Sequence, residues 1–379
     1  MNIEPGQTIG IVGGGQLGRM FAQEARRTGY RTVIYTDEPP GSPAGQVADL
    51  EINAPYHAGR AAEQFASEID VATYEFENIP ADFLLYLEAH TVVRPGRLAL
   101  ETCQHREREK NFLREAGLPC VDFIVVDSAD ALRTALEQTG TPAILKTAAF
   151  GYDGKGQVRI DHPNQVADAW SSLGAERAVL EAFARFQSEV SVVAARDMQG
   201  GFTAFPVVEN EHRRHILDTS LAPARIPAET AKEAVELTRR VADALDCVGT
   251  LTVEFFVTAD RLLINEIAPR PHNSGHWTID ACSISQFGLQ LLAITGRPVE
   301  QPVCHSPAVM VNLLGELWPP EPGEPDWNKI TANPLARLHL YGKKRARQGR
   351  KMGHFTVLGD PPGSALVLAR GLRDSLADD

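Results

Sequence analysis

At 379 residues the chain has room for two or three domains, and 43% hydrophobic with 23% charged residues describes an ordinary globular protein rather than a disordered or repetitive one. Its 37 basic and 49 acidic residues leave a net charge of −12, which argues against bulk attraction to nucleic acid or anionic lipid and demands a local basic site for any phosphate-bearing ligand. Five scattered cysteines read as reduced thiols, no apolar run reaches the ~18 residues of a membrane span, and Met1-Asn2-Ile3-Glu4-Pro5 resembles no leader, so a cytoplasmic protein is expected.

The first hundred residues alternate strand and helix. Strands are expected over 8–12, 32–36 and 70–74, with helices over 16–28 and 61–67, a pattern that makes a parallel sheet covered by helices. Residues 101–298 mix the two: helices over 107–116, 128–138, 228–245 and 282–294, and strands over 123–126, 143–147, 158–160, 190–194, 202–208, 250–257 and 262–267. This is an α+β domain. Residues 299–379 follow a change of composition, include a proline-rich stretch over 318–325, and read as a small β-rich domain.

Gly13-Gly14-Gly15-Gln16-Leu17-Gly18 follows a strand and opens a helix, and Asp37 ends the next strand. The spacing suits a dinucleotide, for the glycines allow a tight turn and helix amides can meet an anion. Another phosphate or carboxylate, or a bare turn, fits as well. Lys146 precedes a second glycine-rich loop, Phe150-Gly151-Tyr152-Asp153-Gly154-Lys155-Gly156-Gln157, which is followed by a strand and has Gly156 where a Walker A loop needs Ser or Thr. It is either a phosphate cradle or a plain hairpin. Glu254 and Glu266 lie in successive apolar strands, and a hairpin centred near Asp260 sets them face to face. Opposed carboxylates repel unless a cation joins them, and magnesium carrying nucleotide phosphates is the natural candidate. Separate arginine partners are the alternative. Glu181-Ala182-Phe183-Ala184 and Glu189 suit an adenine hinge with a ribose acid.

Together these parts resemble the ATP-grasp superfamily. Gly13 to Met20, Thr73-Tyr74-Glu75-Phe76-Glu77-Asn78, the loop Phe150 to Gln157, Asn265-Glu266-Ile267-Ala268-Pro269-Arg270-Pro271-His272-Asn273-Ser274-Gly275-His276 and Gly349-Arg350-Lys351-Met352-Gly353-His354 are similar, within it, to the 5-(carboxyamino)imidazole ribonucleotide synthase family. The resemblance implies a Rossmann-like N-terminal domain (1–100), an ATP-grasp domain (101–298) and a β-rich C-terminal domain (299–379). It implies a ligase of de novo purine synthesis that uses ATP and bicarbonate, through carboxyphosphate, to carboxylate aminoimidazole ribonucleotide. It also implies a homodimer, with no nucleic-acid or membrane partner.

On the matching positions the resemblance puts ATP on Arg106, Lys110, Lys146, Gly151, Tyr152, Asp153, Gly154, Lys155, Gly156, Gln157, Glu181, Ala182, Phe183, Ala184, Glu189, His212, Asn265 and Glu266. Magnesium falls on Glu254 and Glu266. Tyr152, Asp153, Lys155, Arg270 and His272 surround the reacting groups, and Gln16, Glu77, Lys343 and Arg350 take the ribonucleotide. Two positions depart from the family pattern: His105 replaces a usual aspartate and His215 a usual glycine. The basic run from Lys343 to Lys351 otherwise reads as a solvated face. His272 and His276, four apart, are poor zinc ligands because Pro269 and Pro271 oppose a helix. An NAD-dependent oxidoreductase built on Gly13–Gly18 and Asp37, and an ATP-grasp formyltransferase, are the competing functions.

Overall fold

The computed structural model describes residues 2–149, 156–320, 323–359 and 362–376; Gly151, Tyr152, Asp153, Gly154 and Lys155 lie outside the described residues. The chain begins with β1 (Thr8–Val12), α1 (Gln16–Arg27), β2 (Arg31–Thr36), β3 (Leu50–Asn53), α2 (Arg60–Glu68), β4 (Val71–Tyr74), α3 (Ala81–Glu88) and β5 (Val92–Val93). The five strands pair in parallel in the order β3-β2-β1-β4-β5. Every residue of β1 is buried, as a central strand covered on both faces requires. On one face Val12, Phe65 and Phe83 gather around Tyr35, whose ring lies 5.4 Å from Phe65 and 4.9 Å from Phe83. The other face is covered by α1 and by Phe287, Leu291 and Ile294, which come from a helix far along the chain.

Next come α4 (Arg97–Cys103), α5 (Arg106–Glu115), β6 (Phe123–Val126), α6 (Ala129–Thr139), β7 (Ala143–Thr147), β8 (Gln157–Ile160), α7 (Val166–Leu173) and β9 (Ala178–Ala182). Their strands make a small antiparallel sheet, β6-β9-β7-β8. Strand alternation sends Ala143 and Leu145 into a core with Leu132, Leu136 and Leu180, which leaves Ile144 and Lys146 on the opposite face. Ser128 caps α6 as its side chain accepts from the Ala131 amide at 3.1 Å.

The remaining elements are β10 (Ser188–Arg196), β11 (Phe202–Ala204), β12 (Val208–Arg213), β13 (Ile216–Ala222), α8 (Ala228–Ala244), β14 (Gly249–Val257), β15 (Leu262–Ala268), α9 (Thr278–Ala281), α10 (Gln286–Ile294), β16 (Ala308–Leu314), α11 (Asn328–Thr331), β17 (Ala336–Leu340), β18 (Lys351–Leu358) and α12 (Pro362–Ser375). They build a large antiparallel sheet in the order β15-β14-β10-β12-β13-β16-β18-β17, with β11 beside β10. The C-terminal strands therefore continue the central sheet. Val190, Val192, Leu251, Val253 and Phe255 face α8 through Leu237 and Val241. Residues one step along each strand, among them Glu189 and Glu254, face the other way.

Two of the elements expected from the sequence take a different form. The strand expected over 202–208 is interrupted around Pro206, and pairing resumes in β12, which turns at Arg214 and His215 into β13. The helix expected from Cys282 starts only at Gln286, where Ser285 accepts from the Gly288 amide at 3.1 Å.

Candidate active site

The small sheet and the exposed face of the large one enclose a cleft of about 650 Å³, bordered also by the first glycine loop. Its lining includes Gln16, Glu77, Arg106, Lys110, Lys146, Gln157, the hinge Glu181, Ala182, Phe183 and Ala184, and Glu189, His212, Glu254, Asn265, Glu266, Arg270 and His272. Residues from Gln16 to Lys351 thus meet around one space. Lys343 and Arg350 are not part of this lining; their neighbour Lys351 is.

On the small sheet, Ile144 stands opposite Glu181, so Lys146 shares the face of Glu181. Lys146 Nζ lies 2.6 Å from Glu181 Oε2, and Lys110 Nζ lies 3.4 Å from Oε1. Burial opposes ionisation of Glu181, but Lys110, Lys146 and Arg106 overcome it and hold the carboxyl down to about 2. Lys110 also donates to the Asn265 carbonyl at 2.8 Å, and Glu109 accepts from the Ile267 amide at 3.0 Å. Two consecutive residues of α5 therefore hold the backbone on either side of Glu266. Burial, with the charge of Lys110 opposing it, pushes Glu109 up to about 8.

The large sheet supplies the acids. β14 and β15 start in register from Val257 opposite Leu262, and a bulge at Asn265 then brings Glu254 directly opposite Glu266. The extra residue is what makes the two carboxylates partners, since an unbroken register would oppose Glu254 to Asn265. Burial, then the charge of Glu266, pushes Glu254 up to about 8. Such a pair calls for a cation with a taste for oxygen. Among the described residues no three His, Cys, Asp or Glu side chains are arranged to hold a metal, and two carboxylates leave the remaining ligand positions to phosphate oxygens and water, as magnesium prefers. The residues present fit that ion.

Glu189 stands beside His212 with an ion pair to its Nδ1. Burial disfavours the imidazolium, yet the Glu189 contact and the charge of Glu254 raise its pKa. Next to them, the Phe186 and Phe256 rings stack at 4.7 Å, and the Arg159 guanidinium lies 4.6 Å over Phe183. These are flat apolar surfaces of the kind a purine ring packs against.

His272 closes the far end. Its Nε2 is 3.4 Å from Glu254, and its Nδ1 accepts from the Ser274 amide at 3.3 Å and meets the Ser274 hydroxyl at 2.9 Å. Burial and the charge of Arg270 depress its pKa well below the ordinary value, so the ring is neutral. The Ser274 amide fixes its tautomer, and a buried chain of side chains holds Ser274 in place. Ser220 Oγ donates to Asn210, Asn210 donates to Ser191, and Ser191 Oγ is 2.8 Å from Ser274 Oγ. The Ser274 amide is an obligate donor, so Nδ1 accepts. The imidazole proton is then on Nε2, toward Glu254. Arg270 pairs with Glu77 at 2.8 Å, joining the first domain to this end of the cleft.

The first glycine loop holds an anion, but the anion is its own. Glu75 accepts from the Gly18 amide at 2.7 Å and from the Gly15 amide, filling the place at the start of α1 where a dinucleotide phosphate would sit. Gly13 adopts φ +115° and a Cβ there would overlap Glu75. The glycines are needed for the carboxylate, and the dehydrogenase reading loses its phosphate seat. Lys343 is half-buried near Glu75, donates to the Lys351 carbonyl at 2.7 Å, and is pushed down to about 8 by desolvation and by Arg350. Arg350 donates to the Arg345 carbonyl at 2.8 Å.

Both departures from the family pattern have visible consequences. His105 is the residue before α5 and makes no capping hydrogen bond. His215 sits at φ +65° in the β12–β13 turn, with Nδ1 3.2 Å from Gln157 Nε2. Glu75, Glu109 and Lys351 escaped the sequence reading as site residues. Glu75 and Lys351 were next to motif residues that were chosen, but the buried position of Glu109 has no local signal.

A lysine-bearing small sheet closing over a carboxylate-bearing large sheet is an ATP-grasp arrangement, and the chain is an ATP-grasp ligase. Family models agree along its length: a ribonucleotide synthetase preATP-grasp domain matches residues 6–104, an ATP-grasp domain residues 111–287, and a phosphoribosylaminoimidazole carboxylase C-terminal domain residues 308–366. The chain is 45% identical over 361 residues to the N5-carboxyaminoimidazole ribonucleotide synthase of Brucella melitensis biotype 1, covering 94% of this chain and 97% of that one. The Staphylococcus aureus N5-carboxyaminoimidazole synthetase complexed with ADP superposes with a TM-score of 0.91 at 38% identity, over 98% of both chains. The Aspergillus clavatus N5-carboxyaminoimidazole synthase, in complex with ADP and 5-aminoimidazole ribonucleotide, gives 0.86 at 30%, again over 98% of both. The chain belongs to the N5-carboxyaminoimidazole ribonucleotide synthase family.

Proposed function

We propose that the cleft binds ATP with magnesium, bicarbonate and aminoimidazole ribonucleotide together, with the division of residues that follows. The reaction is the ATP-dependent carboxylation of the aminoimidazole amine by bicarbonate through carboxyphosphate, giving 5-(carboxyamino)imidazole ribonucleotide, ADP and phosphate. Ala182, Phe183 and the Phe186–Phe256 stack take the adenine, and Glu189 takes the ribose. Lys146 and Arg106 meet the phosphates. Lys110 supports this set through Glu181 and the Asn265 carbonyl, outside direct contact with ligand.

Glu254 and Glu266 would hold magnesium, with Asn265 beside them. Held there, the ion would supply charge neutralisation to the phosphates, which is most of what phosphoryl transfer needs. Arg270 and the neutral His272 hold the bicarbonate and then the labile acyl phosphate. The His272 Nε2 proton is a fixed donor for an anionic oxygen at that end of the cleft. Gln16 and Glu77 face the imidazole, and the positive group made by Lys343, Arg350 and Lys351 attracts the ribonucleotide phosphate. Tyr152, Asp153 and Lys155 are assigned to the reacting groups, and Gly151 and Gly154 to ATP, on the strength of the family resemblance. The reading extends to a cytoplasmic homodimer on the strength of the family resemblance alone, and the net charge of −12 supports small-molecule partners over nucleic acid.

One observation carries the proposal: the bulge-set opposition of Glu254 and Glu266 across from Lys146. A coupled ADP-release assay tests it. Release that depends on both bicarbonate and aminoimidazole ribonucleotide is expected. Release driven by formate in place of bicarbonate would support the formyltransferase reading, and calorimetric binding of NAD without a response to ATP would support the oxidoreductase.

A further inference from the structure

Two of the five cysteines stand opposite one another, away from the cleft. Cys282, between α9 and α10, and Cys304, before β16, form an isolated antiparallel bridge. The backbone bonds beside it run from the Ser283 amide to the Val303 carbonyl at 2.8 Å and from the His305 amide to the Ala281 carbonyl at 2.9 Å. These bonds flank the cysteines without joining them, so the two occupy a non-hydrogen-bonded pair. Opposed Cα atoms come closest in such pairs, at about 4.5 Å, which falls within the roughly 4.4–6.8 Å that a disulfide spans. The two Sγ atoms are 2.9 Å apart. Little backbone movement separates this arrangement from a covalent bond.

The two sulfurs are not equivalent. Cys304 is partly exposed and Cys282 is buried. Their mutual hydrogen bond lowers the Cys304 pKa and raises that of Cys282. Cys304 is thus the sulfur that meets a dissolved oxidant, with Cys282 beside it to resolve the product. The other three thiols have no such arrangement: burial pushes Cys103, Cys120 and Cys247 up, which makes them poor nucleophiles.

We propose that Cys282 and Cys304 form an oxidisable dithiol, a modification site for peroxides that closes to an intramolecular disulfide. The Cys304 thiolate attacks one peroxide oxygen and becomes a sulfenic acid as the O–O bond breaks and the first water leaves. The Cys282 sulfur then attacks the sulfenic sulfur, the S–S bond forms, and hydroxide leaves as the second water after taking the Cys282 proton. One hydrogen peroxide is reduced to two waters and two thiols are oxidised to one disulfide. A dithiol reductant reverses the change by exchange. Cys304 is partly exposed, and exposed disulfides are the readily reduced ones.

Titration of the folded enzyme with hydrogen peroxide, followed by denaturation in alkylating agent and peptide mass mapping, tests the site. The expected result is loss of two alkylatable thiols, at Cys282 and Cys304, with one linked peptide pair lighter by two hydrogens and full recovery after dithiothreitol. Cys282→Ala should stop the reaction at Cys304, trapped by dimedone as the sulfenic acid, and Cys304→Ala should leave Cys282 alkylatable. If either variant fails to fold, the wild-type mass map still decides. First oxidation at Cys103, Cys120 or Cys247, or a Cys304 sulfinic acid with Cys282 still free, would overturn the proposal.

Discussion

Replacing Lys110 by methionine tests how the nucleotide side of the cleft is held together. The side chain is 1% exposed, with Glu181 at 3.4 Å and the Asn265 carbonyl at 2.8 Å. Methionine keeps the volume and removes the charge. The gap between an ordinary glutamate at 4.5 and Glu181 at about 2 corresponds to roughly 3 kcal/mol of stabilisation from its cationic neighbours. Lys146 remains at 2.6 Å and retains part of it, whereas the Asn265 carbonyl loses its donor. A net loss of about 3 kcal/mol follows, in the range for breaking a buried ion pair.

The pH dependence carries the specific signature. A carboxylate with a depressed folded pKa contributes stability that is fully present above its unfolded pKa, here 4.5, and is lost as pH falls toward about 2. Urea unfolding should therefore show the largest gap between wild type and Lys110→Met near neutrality, narrowing steadily below pH 4.5. A gap of the same size at every pH would mean that packing, and not the charge on Glu181, accounts for the loss. No gap at pH 7 would refute the reasoning altogether. Lys110→Met should also raise the ATP KM, because the backbone at Asn265 sets the position of Glu266.

The two departures from the family pattern yield stability predictions of opposite chemical origin. His105→Asp gives α5 the capping acceptor it lacks, and thermal or urea melts should register a gain of about 0.5–2 kcal/mol. His215→Gly relieves a left-handed residue at φ +65° but loosens the unfolded chain, so a gain of about 0.5–1 kcal/mol is expected, with loss of the Gln157 contact showing as a higher ATP KM.

The parts of the site legible in the sequence are those set by local pattern. Alternation in 250–257 and 262–267 located Glu254 and Glu266, although their opposition depends on a bulge at Asn265 that no pattern announces. The strand β13 went unread because Asp218 and Ser220 look like loop residues. Inside the sheet they are satisfied by Arg373, 155 residues away, and by Asn210. The family resemblance marks Lys110 but not Glu109, and the partners that bury them, Ile267, Asn265 and Glu181, arrive from other elements. The first glycine loop was legible as an anion seat, while the anion, Glu75, comes from the end of β4 and could be assigned only once the strands were in place. A tertiary partner decides each of these cases.

The Glu254–Glu266 pair as a divalent-ion seat is the point on which the division of the cleft turns. Calorimetric binding of a non-hydrolysable ATP analogue, with and without magnesium, to wild type and Glu266→Gln measures this. Wild type should bind the analogue more tightly with magnesium than without it. Glu266→Gln should fold, keep the metal-free affinity and lose most of the magnesium enhancement. If Glu266→Gln retains the full enhancement, the two acids do not hold the ion and the assignment of the cleft is wrong.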